Sequence, residues 1–221
     1  MFDEERIVEL KSISQIYKLL SRIFLIPPDT QLLKLLKEKF IPALKEDSKV
    51  QPFPEKLVNV TLQLESFFSK INDENLSESC KQLGIKWTSL FRGIQRGHSP
   101  PPPYESLYRE GVLFGGSTMD VKKYYAQFSI APAGEFSGEP PDHIGLELHF
   151  IHYLYEKEAD ALQKNDYSLA QNISETRKKF ITEHINTWLV ALQNRITSFD
   201  ENGFYSYILE FTLGLLEWEL K

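Results

Sequence analysis

The sequence predicts an all-α fold: one helical-bundle-like domain of about eight to ten helices, with a Pro/Gly-rich connection between two halves. Apolar residues recur at three- and four-residue steps along most of the chain. No segment shows sustained apolar–polar alternation bounded by turn signals, so strands are not required. Proline and glycine gather at a few places, above all in the run Pro100-Pro101-Pro102-Pro103.

Taken in order, Asp3 can cap a first helix whose inner face is Ile7, Leu10, Ile13, Tyr17, Leu20 and Phe24, and Pro27-Pro28 ends it. Asp29 or Thr30 opens a second helix through Leu32, Leu33, Leu35, Leu36 and Phe40, closing near Pro42. A third spans Pro54 to Ile71 and a fourth Leu76 to Ile94, the latter with Leu83, Trp87, Leu90 and Phe91 inward. The segment Gly93–Gly116 then breaks the pattern, because consecutive prolines favour an extended conformation. Ser117-Thr118-Met119-Asp120 resembles a capping box and opens a short helix to Phe128. After an irregular stretch, Ala131–Gly138, come a central helix to Lys164, a helix from Ser168 to Ser198 and a last one from Gly203 to Leu220. In the penultimate helix Phe180, His184 and Trp188 stack at i, i+4 and i+8 as core. The expected organisation is a single domain over 1–221: an N-terminal half 1–96, a hinge 97–116 and a C-terminal half 117–221.

Composition narrows the function. The 221 residues are 42% hydrophobic and 13% aromatic, enough for a substantial core. A net charge of −6 argues against non-specific nucleic-acid binding and suits a basic partner. The single cysteine, Cys80, excludes an intramolecular disulfide and multi-cysteine zinc or iron–sulfur sites. The acidic start Met1-Phe2-Asp3-Glu4-Glu5 is unlike a signal peptide, and no apolar run reaches membrane-spanning length, so a cytoplasmic protein without stable membrane insertion is expected. P-loop, Gly-x-Gly-x-x-Gly, Gly-x-Ser-x-Gly and His-Glu-x-x-His patterns are absent, and the expectation is a non-enzyme with no cofactor of its own.

The chemistry concentrates in Glu139-Pro140-Pro141-Asp142-His143-Ile144-Gly145-Leu146-Glu147-Leu148-His149-Phe150. Prolines favour the start of a helix, where their missing N–H costs nothing, and Asp142 is placed at the N-cap or in the first turn. At about 100° per residue, His143, Glu147, Phe150 and Leu154 share one apolar stripe. Glu147 is therefore expected to be paired or hydrogen-bonded, since a lone buried carboxylate is costly. His149, His152, Glu156 and Asp160 fall on the other side as solvated groups. That divergence argues against a metal site built from Asp142, His143, Glu147, His149 and His152. The spacing permits either a structural His143–Glu147 contact or a ligand pocket at a helix N-terminus.

This stretch resembles the signature of the TorD/DmsD/NarJ family of cytoplasmic redox-enzyme maturation chaperones. Other segments carry the likeness in the same order: Ile16–Phe24, Leu83–Phe91 with Gly93, Pro103-Tyr104-Glu105-Ser106, Phe180–Trp188 and Phe204-Tyr205. His149 stands where relatives often carry Glu, and the proline run is longer than usual. The resemblance implies an all-helical chaperone that binds the twin-arginine signal peptide of a molybdoenzyme precursor and holds it for cofactor insertion before export. Its partners would be that precursor and the export machinery, and it would be a monomer or a domain-swapped homodimer. A basic and apolar peptide needs carboxylates beside an apolar groove. On that reading Glu105, Glu139, Asp142 and Glu147 face the basic end. Trp87, Phe91, Tyr104 and Tyr108 form the walls, and His143 orients Asp142 or bonds peptide carbonyls. The alternatives are a helical scaffold or adaptor that binds no signal peptide, and a nucleotide-dependent enzyme.

Overall fold

The structure, a computed structural model, describes residues 2–50, 53–93, 99–130, 138–200 and 203–220. Parts of the two irregular stretches, 94–98 and 131–137, lie outside them, as does the side chain of the expected cap Asp3. The described residues are all-α. The helices are α1 (Phe2–Leu25), α2 (Thr30–Leu35), α3 (Ile41–Val50), α4 (Glu55–Ser69), α5 (Leu76–Phe91), α6 (Glu105–Arg109), α7 (Gly116–Gln127), α8 (Ile144–Gln163), α9 (Tyr167–Glu183), α10 (Ile185–Thr197) and α11 (Phe204–Glu219). Among the described residues the one sheet-like feature is an isolated antiparallel bridge between Tyr104 and His143. None of the described helices is long and apolar enough to cross a membrane.

Two helices depart from the predicted pattern. The expected single helix from Thr30 to Phe40 is α2 followed by a π-helical turn, Leu36–Phe40, that runs directly into α3. Pro42 therefore opens α3 instead of closing its predecessor. A proline there has no N–H to return to the preceding turn, and a widened turn relieves the mismatch. The expected helix from Ser168 to Ser198 is broken at His184, whose φ of −114° and ψ of −92° are non-helical. The i, i+4, i+8 stack thus divides between α9 and α10. Around the break the His184 carbonyl accepts from Thr187 N–H at 2.9 Å and from Thr187 Oγ1 at 2.6 Å.

Packing groups the chain into two compact units that are not the sequential halves. One comprises Met1–Leu25 and Pro103–Trp188, the other Ile26–Pro102 and Leu189–Lys221. In the first, α1 lies along α8: Leu10, Tyr17, Leu20 and Phe24 are buried on one side, and Ile144, Leu148, Ile151 and Leu154 on the other. Tyr17 stacks on Tyr155 at 5.6 Å. His152, expected as a solvated group, is half-buried because Ser14 Oγ lies 2.6 Å from its Nδ1 and also donates to Glu156 at 2.6 Å. Arg177 is buried over the Tyr155 ring and paired with Glu158. In the second unit α11 packs on α4, with Phe204 against Phe67 and Phe68. Asp200 caps α11 by accepting from Tyr205 N–H at 3.0 Å and Ser206 N–H at 3.2 Å.

The α1–α8 contact is tightest at Gly145. A β-carbon there would lie 2.5 Å from Leu25 Cγ and 3.1 Å from the Ser21 carbonyl oxygen. Gly145→Ala adds helix propensity worth about 0.5–1 kcal/mol, but the overpacking it forces costs about 1–3 kcal/mol. Urea unfolding of Gly145→Ala is expected to show a net loss of about 1–2 kcal/mol. A variant as stable as wild type would contradict this close approach.

Candidate functional site

The site is assembled where two backbone segments meet. Glu105 N–H donates to the Asp142 carbonyl at 2.9 Å and Ile144 N–H to the Pro103 carbonyl at 3.0 Å, forming the Tyr104–His143 bridge. This pairing sets the start of α6 against the start of α8. The expected cap is displaced by one residue. His143 is the N-cap of α8, its Nδ1 accepting from Gly145 N–H at 3.0 Å, which leaves the proton of a neutral ring on Nε2. Asp142 instead caps the other helix: its Oδ2 accepts from Ser106 N–H, in the first turn of α6, at 2.9 Å.

Glu105, Asp142 and Glu147 are each completely buried. Glu105 accepts from the Arg109 guanidinium, one turn along α6, and lies 2.9 Å from His184 Nδ1 through its other oxygen. Glu147 Oε2 accepts from Trp188 Nε1 at 3.3 Å. Burial pushes the Glu147 carboxyl well above the usual carboxylate range, aided by the charges of Glu105 and Asp142 and by a hydrogen bond to Glu105. Its Oε1 has no hydrogen-bond partner among the described residues. Buried acids set this close together favour the neutral form of one of them. The same acids, after burial itself, raise the Tyr125 phenol, which donates to the Pro141 carbonyl at 2.9 Å.

Around this buried centre lies a half-exposed rim. Tyr104 packs edge-on against His143 at 5.3 Å and donates to Glu139 Oε2 at 2.9 Å. Tyr108 lies over Trp188 at 5.4 Å. The structure therefore brings together Tyr104, Glu105, Tyr108, Glu139, Asp142, His143 and Glu147. Trp87 and Phe91 belong to the other unit, where both are buried: Phe91 packs on Trp87 and Tyr205, and Arg92 sits over the Trp87 ring. The sequence places His184 and Trp188 in the core, where both are buried, but links neither of them, nor Arg109, to the carboxyl cluster. Arg109 was visible as an i+4 partner of Glu105. His184 and Trp188 stand 79 residues from Glu105 and 41 from Glu147, with no local pattern to connect them. Among the described residues no group of three or more His, Cys, Asp and Glu side chains is placed to hold a metal ion.

A pH dependence follows. The folded-state pKa of Glu147 is raised, so the folded protein binds a proton that the unfolded chain releases near 4.5. Its contribution to stability is complete below that value and is lost as pH rises towards the folded-state pKa. In denaturant titrations across this window Glu147→Gln is expected to flatten the fall of stability with rising pH. Identical slopes for variant and wild type would show that Glu147 titrates normally.

Comparison with known proteins places this architecture. Residues 51–194 match the nitrate reductase delta subunit family. Chaperone protein TorD of Vibrio cholerae is 24% identical over 148 residues, 65% of this chain and 63% of that protein. The protein of Haemophilus influenzae named a probable Tat proofreading chaperone, DmsD, is 28% identical over 148 residues, 66% of this chain and 65% of that one. The chain thus spans somewhat under two thirds of the curated relatives it matches. A crystal structure from Archaeoglobus fulgidus, provisionally designated a redox enzyme maturation protein, is 25% identical and covers 75% of this chain and 91% of its own, with a TM-score of 0.41. With the match extending over well over half its length, the chain belongs to the nitrate reductase delta subunit family, the NarJ/TorD group.

Proposed function

We propose that this protein is a maturation chaperone for a redox enzyme and that it binds the N-terminal signal peptide of that enzyme's precursor. The observation that carries the reading is the pairing of the Tyr104 and His143 segments, which sets a half-exposed aromatic and acidic rim on a rigid, buried acidic base. A twin-arginine peptide joins a basic stretch to an apolar one. Glu139 is the rim carboxylate suited to meet arginine, and Tyr104 and Tyr108 offer flat apolar surface beside it. Glu105, Asp142, His143 and Glu147 act from beneath as positioning residues, fixing the backbone that presents the rim. The names of the relatives point the same way. The chaperone would act in the cytoplasm, holding a molybdoenzyme precursor until its cofactor is inserted and then releasing it to the export machinery.

Calorimetry with synthetic twin-arginine signal peptides tests this directly. Saturable binding that weakens as salt rises is expected, because a half-exposed charge pair is screened. Glu139→Gln is expected to weaken binding about 5- to 20-fold, at or below the low end for a charge-assisted hydrogen bond because the pair is half-exposed and the amide still bonds. A folded wild-type protein that binds no such peptide would contradict the reading and favour a scaffold without this ligand.

A further inference from the structure

The turn that follows α6 displays apolar side chains to solvent at a conformational cost. Val112, Leu113 and Phe114 are 53%, 48% and 67% exposed, and Met119, in the first turn of α7, is 55% exposed. Phe114 adopts φ of +59°, a left-handed conformation that is an outlier for a bulky residue. The turn is also clamped. The Glu110 carboxylate accepts from Gly116 N–H at 2.7 Å, from Ser117 N–H at 2.8 Å and from the Ser117 hydroxyl. A β-carbon at Gly115 would collide with that carboxylate, so the clamp needs glycine beside it. Those bonds, the Ser117 hydroxyl foremost, hold the Glu110 carboxyl below the usual carboxylate range. A chain selected for solubility and stability alone has no use for a strained, exposed phenylalanine on a fixed turn. Strain of this kind, maintained by surrounding bonds, is a mark of binding sites.

We propose that Val112, Leu113, Phe114 and Met119 form the contact surface for the apolar segment of the signal peptide, an assignment that rests on the signal-peptide reading above. Two features select this occupant. The surface continues from α6, whose first residues Glu105 and Ser106 are bonded into the carboxyl cluster, so it is covalently continuous with the rim that would meet the basic end. Exposed carboxylates also lie on and against helix α7, which carries Met119: Asp120 next to Met119, and Glu183 of α9, which accepts from Tyr124 of α7 at 2.6 Å. Lys123 and Lys179 share those acids, yet both pairs are solvent-exposed and can exchange partners with an incoming arginine at little cost. An apolar stretch flanked by positive charge fits this surface better than an acidic or wholly polar partner would.

The test compares wild type, Phe114→Gly and Leu113→Ser/Phe114→Ser by calorimetry with a twin-arginine peptide and with the same peptide carrying serines in its apolar segment. Phe114→Gly is the decisive variant, because glycine accepts the positive φ. It is expected to raise Tm by about 2 °C while weakening binding roughly 10-fold. Serines in the peptide should weaken binding to wild type and have little further effect on the double variant, the signature of a direct contact. Wild-type affinity in both variants overturns the surface assignment and leaves the signal-peptide reading standing. A wild-type protein that binds neither peptide overturns that reading, and this surface with it. If the variants instead abolish self-association in sedimentation velocity without changing peptide affinity, the surface serves a second copy of the chain and the proposal fails.

Discussion

Three carboxyl groups with no access to water must be reconciled in one place, and much of the first unit is arranged to do so. Moving a single carboxylate into a protein interior costs several kcal/mol, and unpaired neighbours of like charge make it worse. The chain meets this with Arg109 and His184 on Glu105, a backbone N–H on Asp142, and surroundings that raise the Glu147 carboxyl and so favour its neutral form. Each remedy recruits a different element. Helix α6 has five residues, too short to persist by its own hydrogen bonds, and it borrows its N-terminal cap from Asp142. The break between α9 and α10 falls at His184, and Trp188 closes the cluster one turn later.

A site built this way is stiff, because its side chains are held by buried bonds whose loss leaves orphaned charge. The half-exposed Tyr104 and Glu139 rest on that base, linked to each other across the bridge. On the proposed reading, stiffness beneath and aromatic surface above would limit the entropy lost when a flexible peptide binds. The clamped turn carrying Phe114 extends the same design, with Glu110 doing for α7 what Asp142 does for α6.

Elements with strong periodicity and clear punctuation were legible from the residues: α1 up to Pro27-Pro28, α4, α5, α8 and α11 all fall where their apolar stripes put them. So was the burial of Glu147, from its place on an apolar stripe. What escaped was tertiary. The π-helical turn before Pro42 and the break at His184 interrupt patterns that look continuous, because packing and distant hydrogen bonds outweigh local propensity. Asp142 shows the limit most clearly. Its neighbours marked a helix start correctly, but the N–H it accepts belongs to Ser106, which local rules do not reach. The rule that α1 pairs with α8, and not with its sequence neighbours, is likewise a property of complementary faces.

The Asp142 carboxylate organises α6 and through it the site. Amide hydrogen exchange on Asp142→Ala, compared with wild type at one pH, tests it most directly. The Ser106 amide and its neighbours in α6 are expected to exchange roughly 10- to 100-fold faster, as for the loss of a charged hydrogen bond, while amides in the middle of α8 stay protected. Unchanged protection across α6 would show that the helix is held by other contacts and that the cluster is not what the site depends on.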